Sequence, residues 1–290
     1  MNKSFTLIEI LVVIVIIGIL SGFIIVSMAG VSSKATIAKG QAFSNSLKNS
    51  ILLNLVSEWK LDEGGSSQTT ADAWGTNNGT LGSTGGVDAN DPTWVSSGCI
   101  SGNCLQFDGV DDYVNCGTAS NLNITGFLTI SAWAKTSNLP NQYYQAIVHK
   151  TGDYIDQQGY AVSLSLNKWT ATISQSSGVY DSLSWPTTPA IGAWYNIVFS
   201  YDGSAMKFYI NGEPTQKSTS VVLASGSQPL RIGKGLYYSG FNGLIDDVRI
   251  YNAAIPTSQV QENYYSGLNR LLVKGVILAG EYFQRIGELD

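Results

Sequence analysis

From Ile10 to Ser33 the chain carries no charged residue, and Lys34 is the first charge after that run. Such a stretch is long enough to cross a bilayer as a helix, which takes about 20 residues. Beyond it, Val31, Ala35, Ala38, Ala42, Leu47, Ile51 and Leu55 recur at mostly three- and four-residue steps. Lys34, Lys39, Gln41, Asn45, Lys48 and Asn49 fall largely between them. Together the two patterns predict one rod from about Phe5 to Val56, roughly 75 Å long at 1.5 Å per residue. From Glu58 the period changes to two. In "LTISAWAKT", Leu128, Ile130 and Ala132 alternate with Thr129, Ser131 and Trp133. "YNIVFSYDGSAMKFYING" reads as two strands around Asp202-Gly203, with a second turn at Asn211-Gly212; such dipeptides are strong hairpin signals. "FNGLIDDVRIYN" is a further strand, and after Pro256 "SQVQENYYSGLNRLL" and "LAGEYFQRIGELD" predict two short helices.

Composition sharpens this picture. A charged fraction of 13% is too low for a solvated disordered chain. The net charge of −5 gives no electrostatic reason to bind nucleic acid. The 31 glycines, with no helical period between about Trp59 and Pro256, fit many short antiparallel strands joined by tight turns, a β-sandwich or jelly roll. Three cysteines leave at least one unpaired within the chain. A cleaved secretory signal would have a shorter apolar region than this one, and a plain membrane anchor leaves Glu9 unexplained, because a carboxylate in lipid is costly unless paired.

The segment "KSFTLIEILVVIVIIGIL" closely resembles the start of the type IV prepilin family: a short basic leader, a cleavage point before Phe, then "FTLIE" and a long apolar helix. The family's usual glycine before the cut is replaced here by Ser4. The resemblance implies a leader of residues 1–4 removed between Ser4 and Phe5 by a prepilin peptidase, and N-methylation of Phe5. It also implies assembly into a helical homopolymer by pilus machinery, in which Glu9 meets the free amino group of Phe5 from a neighbouring subunit. Each charge is costly alone in an apolar core and the pair relieves both. The implied location is the cytoplasmic membrane before assembly and an extracellular filament afterwards.

Six segments, "WKLDEG", "LQFDGVDDYV", "LTISAWAKT", "WYNIVFSYDGSAMKFYINGEP", "LRIGKG" and "FNGLIDDVRIYNAAIP", resemble the laminin-G-like, concanavalin-A-like family in order. That family is a two-sheet jelly roll that binds carbohydrates or proteins, often with a calcium ion. The expected organisation is therefore α+β: leader 1–4, transmembrane and filament-core helix 5–57, laminin-G-like jelly roll 58–256 and helical tail 257–290. The function it implies is a pilin-like subunit displaying a lectin-like unit for adhesion. The alternatives are a minor pseudopilin of a type II secretion or DNA-uptake system, and a membrane-anchored lectin that never polymerises.

Catalysis finds little footing. The Glu-x-Asp-x-x-Glu strand of glucanases with this fold is absent, and the single histidine, His149, has no nucleophile context. For a cation, strict alternation in "GLIDDVRIY" puts Asp246 on the face of Leu244, Val248 and Ile250, where a carboxylate must be hydrogen-bonded, paired or bound to a metal. The polar loop over residues 62–80 supplies Asp72 and Asn77 as further oxygen donors suited to calcium; a hydrogen-bonded Asp246 without metal stands beside this reading. Cys99 and Cys104 flank a short turn and are read as a disulfide in an oxidising compartment, against two buried thiols, with Cys116 buried and unpaired. Tyr143, Tyr144, Tyr237 and Tyr238 lie in loop-like segments and are the ligand-binding candidates, since exposed loop aromatics serve binding better than strand ones.

Overall fold

The computed structural model describes residues 53–139, 144–152, 158–176, 178–235 and 240–287. The predicted N-terminal rod up to residue 52, with Ser4, Phe5 and Glu9, and the tyrosines at 143, 237 and 238, lie outside them. The chain divides into two compact units, Met1–Leu53 and Asn54–Asp290, and every strand and helix of the described residues belongs to the second.

Among the described residues, sixteen strands form two antiparallel sheets. Sheet A contains β1 (Leu55–Trp59), β4 (Thr93–Val95), β5 (Cys104–Asp108), β7 (Leu128–Thr136), β12 (Tyr195–Tyr201), β13 (Ala205–Ile210), β14 (Glu213–Ser218) and β16 (Asn242–Tyr251). Its order is β14-β13-β12-β7-β16-β5-β4, and β1 also pairs with β16. Sheet B contains β2 (Thr69–Thr70), β3 (Gly79–Leu81), β6 (Val114–Asn115), β8 (Gln145–Thr151), β9 (Gly159–Ser165), β10 (Lys168–Ser176), β11 (Val179–Ser184) and β15 (Arg231–Ile232). Its order is β11-β10-β9-β8-β15-β6-β3-β2. Two helices follow, α1 (Thr257–Val273) and α2 (Ala279–Gly287).

The main core joins the facing sides of the two sheets. Leu128, Ile130, Ala132 and Ala134 of β7 meet Tyr160, Val162 and Leu164 of β9 and Trp169, Ala171 and Ile173 of β10 in one apolar cluster. A second cluster lies on the far side of sheet A, where Trp133, Trp194 and Leu244 are covered by Tyr264, Leu268 and Leu271 of α1. Strand β7 is therefore buried on both faces, as expected where one face meets the core and the other a helix layer. Helix α1 seats closely because Gly267 lies against Trp133: a Cβ there would stand 2.3 Å from the indole. Trp133 stacks on Tyr264 at 5.9 Å.

Two differences from the sequence pattern follow. The apolar repeat predicts a rod to about Val56, yet Leu55 already begins β1, with Leu55, Ser57 and Trp59 turned inward. The four-residue step from Ile51 to Leu55 imitates a helical repeat at the boundary. In β16 the pairing with β7 shifts register between Asp246 and Arg249, and Asp247 has φ +50°. This bulge breaks the alternation. Asp246 stays on the side of Leu244, beside the helices, while Val248 and Ile250 turn into the main core.

Candidate functional site

The outer face of sheet B is a groove of about 920 Å³. Register explains its floor. Tyr160, Val162 and Leu164 of β9 and Trp169, Ala171 and Ile173 of β10 turn inward, the residues between them are small or polar, and pairing aligns those residues in rows. One row runs Ser182, Thr172, Ala161, His149 and Arg231 across β11, β10, β9, β8 and β15. A second runs Ser184, Thr170, Ser163 and Ala146. A third runs Tyr180, Ser174, Gly159 and Thr151.

Hydroxyls hold these rows in order: Thr170 Oγ1 and Ser184 Oγ lie 2.9 Å apart, as do Thr172 Oγ1 and Ser182 Oγ. His149 sits buried in the floor with Nε2 at 3.1 Å from Thr151 Oγ1. Burial, with Arg231 adding, pushes its pKa down to about 4, so the ring is neutral at physiological pH. Tyr144 stands edge-on to His149 at 6.3 Å. Tyr180, 57% exposed, lines the groove on the edge strand β11. Among the described lining residues Lys168 is the one charged side chain, Arg231 of the first row lying outside that lining, and no carboxylate is present. Among the described lining residues the paired acids of a glycosidase have no counterpart. The chemistry on offer is hydroxyl hydrogen bonding and ring stacking.

Of the four candidate tyrosines, Tyr144 is described, and it lines this groove. Tyr180 escaped the sequence reading because it belongs to a strand, and the serines and threonines of β10 and β11 read as ordinary solvent-side alternation.

The residues considered for a cation divide into two networks. Asp72 organises its own loop: Oδ1 accepts the amides of Glu58, Trp74 and Gly75 at 2.9, 3.1 and 2.8 Å, and Oδ2 that of Asn77 at 3.0 Å. Burial works against its charge, but the amides of Gly75, Glu58 and Asn77 outweigh it and hold the carboxyl below its ordinary value. Asn77 is engaged with Ser57 Oγ at 2.7 Å and, through its carbonyl, with Trp59 Nε1 at 2.7 Å. Asp246 differs. Its Oδ2 accepts the amides of Ile100 and Ser101 at 2.8 and 3.2 Å, while its buried Oδ1 has no hydrogen-bond partner. Oδ1 of Asp62 is likewise buried and unpartnered. Burial first, then the neighbouring Asp247, raises the pKa of both carboxyls.

The loop that supplies the two amides is closed by the Cys99–Cys104 disulfide, with sulfurs 2.10 Å apart, so those cysteines offer no thiolate to a metal. Cys116 is a buried free thiol. Asp247 itself is paired, to Arg270 at 2.6 Å and Arg249 at 3.5 Å. A separate acidic group, Asp108, Asp111 and Asp112, brings its carboxylate oxygens within 4.8 Å of one another. Burial, with Asp108, Asp111 and Asp91 adding, pushes Asp112 up to about 6.

A family model described as the concanavalin A-like lectin/glucanases superfamily matches residues 108–261. A second, the prokaryotic N-terminal methylation motif, matches residues 1–25. Among solved structures, the binding domain of Paraclostridial Mosquitocidal Protein 1 superposes with a TM-score of 0.59 at 19% identity, covering 76% of this chain and 53% of that one. The Botulinum neurotoxin serotype D ligand-binding domain, in complex with N-acetylneuraminic acid, gives a TM-score of 0.60 at 14% identity, covering 77% of this chain and 53% of that one. Domain 4 of AbnA, a GH43 extracellular arabinanase from Geobacillus stearothermophilus, in complex with arabinotriose, gives 0.55 at 18% identity, covering 72% and 97%. A shell matrix protein of Mytilus californianus is 35% identical over 63 residues, 22% of this chain and 21% of that protein. The chain thus spans about half the length of the two toxin structures and about a fifth of the shell protein. At these identities the structural likeness establishes the fold. No helix among the described residues is long and apolar enough to cross a membrane.

Proposed function

Because this chain belongs to the concanavalin A-like lectin/glucanases superfamily, we propose that its jelly roll is an oligosaccharide-binding unit whose site is the groove on sheet B. The observation that carries this reading is the groove's lining: rows of hydroxyls, two accessible tyrosines, a neutral histidine and no carboxylate among the described residues. Sugars present hydroxyls to such rows and apolar ring faces to aromatics. The solved relatives in complex with N-acetylneuraminic acid and arabinotriose support the ligand class. The test is an array of neutral oligosaccharides, arabinotriose among them, and sialylated ones, probed with the full-length chain in mild detergent. The parent is expected to bind, and Thr172→Trp, which puts an indole into the groove, is expected to bind none of the same spots. Equal binding by both removes the groove from the account.

The N-terminal methylation motif supports the second half of the proposal, a pilin-like subunit that carries this unit outward on a surface filament. Many weak sites on one filament would gain avidity. Mature protein should then lack residues 1–4 and carry a methylated Phe5. Glu9→Leu should leave the jelly roll folded and filaments scarce; normal filament yield would count against the Phe5–Glu9 pairing.

Calcium is retained as a proposed ligand, held by Asp246 with Asp62, whose two orphaned oxygens fit a cation better than the occupied ones of Asp72. Without a cation, raised carboxyl pKa values mean that the folded state keeps protons the unfolded chain has lost. These two groups then stabilise the fold below about pH 4 and lose that contribution as pH rises. A cation reverses this near neutrality. The chain should melt higher in calcium than in chelator at pH 7.5, and Asp246→Asn should shrink the shift. An unchanged melting temperature in chelator, with no co-purifying metal, would eliminate the site.

A further inference from the structure

Two hairpins in this molecule use the same turn with different sequences. Between β13 and β14, where Ile210 pairs with Glu213, the two connecting residues are Asn211 and Gly212, with φ of +55° and +85°. Between β9 and β10, where Ser165 pairs with Lys168, they are Leu166 and Asn167, with φ of +48° and +63°. Two-residue loops with both φ values positive are type I′ turns, which favour Asn-Gly because a β-carbon in the left-handed region meets the following carbonyl. The first hairpin obeys that preference. The second places a leucine where asparagine or glycine costs less.

A leucine with positive φ is tolerated when something offsets the strain. Leu61, at φ +55°, is wholly buried in the main core, and its packing is the offset. Leu166 has no such compensation: it is 67% exposed, and it belongs to the lining of the sheet B groove beside Lys168 and Ser165. An exposed apolar side chain on a strained turn adds little to folding. Strain of this kind persists where a side chain serves another purpose.

We propose that Leu166 is a ligand-contacting residue, which presents an apolar side chain at the β9–β10 end of the groove to the C–H face of a bound sugar ring. The inference rests on the reading of the groove as an oligosaccharide site and adds a position to it. Leu166 meets the ring's C–H bonds while the rows of Ser and Thr meet its hydroxyls, so the site distinguishes a pyranose or furanose ring with one apolar face from an open-chain polyol.

The test uses the full-length chain in mild detergent and the arrayed neutral and sialylated oligosaccharides. Leu166→Gly and Leu166→Asn should melt at or above the parent temperature, because the turn relaxes. Both should lose about 5- to 10-fold in affinity for the spots the parent binds. The reciprocal change, Asn211→Leu, should lower the melting temperature and leave affinity untouched. A lower melting temperature in both Leu166 variants would make the residue a folding element and overturn the proposal; so would unchanged affinity. If Thr172→Trp abolishes binding while the Leu166 variants bind like the parent, the groove stands and Leu166 falls. If the parent binds none of the oligosaccharides, both fall together.

Discussion

The outer face of sheet A presents Trp133, Trp194 and Leu244, and α1 and α2 cover it. The outer face of sheet B presents Thr170, Thr172, Ser174, Ser182 and Ser184, and among the described residues it opens as a groove. Both sheets contribute their other face to one core. The difference lies in side-chain volume at alternate positions. Large apolar residues on sheet A demand a covering layer, and burying each stabilises the fold by about 1.5–3 kcal/mol. Small hydroxylated residues on sheet B make no such demand and leave backbone and hydroxyls within reach of a ligand. One face is committed to stability and the other is not, so if the second serves recognition as proposed, substitutions on the two should separate stability from binding.

The sharpest way to break this division is at Gly267. Any β-carbon there collides with Trp133, so Gly267→Leu should destabilise the chain by about 3 kcal/mol through overpacking, measured by denaturant unfolding. Ligand binding by the fraction that stays folded should be unchanged. Were the variant as stable as the parent, α1 would not seat on sheet A as described.

Next in size is a pH effect on the groove side. His149 has a pKa of about 4 when folded and an ordinary value of 6.5. Between those values the unfolded chain binds a proton that the folded chain refuses. The contribution is whole above about pH 6.5 and is lost as pH falls toward 4, by up to about 3 kcal/mol. His149→Gln should lose that part of the acid sensitivity, and a stability–pH curve parallel to the parent's would show that the ring is not held neutral.

The Cys99–Cys104 loop comes third. It offers the amides of Ile100 and Ser101 to Asp246, and Lys274 near the end of α1 donates to Gly102 O at 3.2 Å. Replacing both cysteines by serine should cost about 2 kcal/mol, a small value because the closed loop is short. Hydrogen exchange should rise in this loop and in α1, with β8–β11 unaffected. The smallest effect belongs to the groove floor: Ser182→Ala should change stability by less than about 1 kcal/mol.

How much of the molecule is legible in its sequence depends on the range of the interactions. Local signals carry far: the Asn211-Gly212 turn, the alternation of β7, the helical repeat of α1 and the spacing of Cys99 and Cys104 all appear as read. What failed depended on register. Nothing in "KWTATISQS" or "VYDSLS" says that Thr172 and Ser182 lie side by side with His149 in the same row, because that follows from pairing across four strands. Asp62 and Asp246 are far apart in sequence, and the burial of one unpartnered oxygen on each follows from tertiary packing. The bulge at Asp247 put Asp246 and Val248 on different faces where simple alternation had placed them together.

If recognition belongs to the open face of sheet B, hydrogen exchange with and without the strongest-binding arrayed oligosaccharide will show it. Exchange should slow in β8, β9, β10 and β11 and the Leu166-Asn167 turn alone, with α1, α2 and sheet A unchanged. Protection on sheet A or the helices, with β8–β11 exchanging as before, would contradict it.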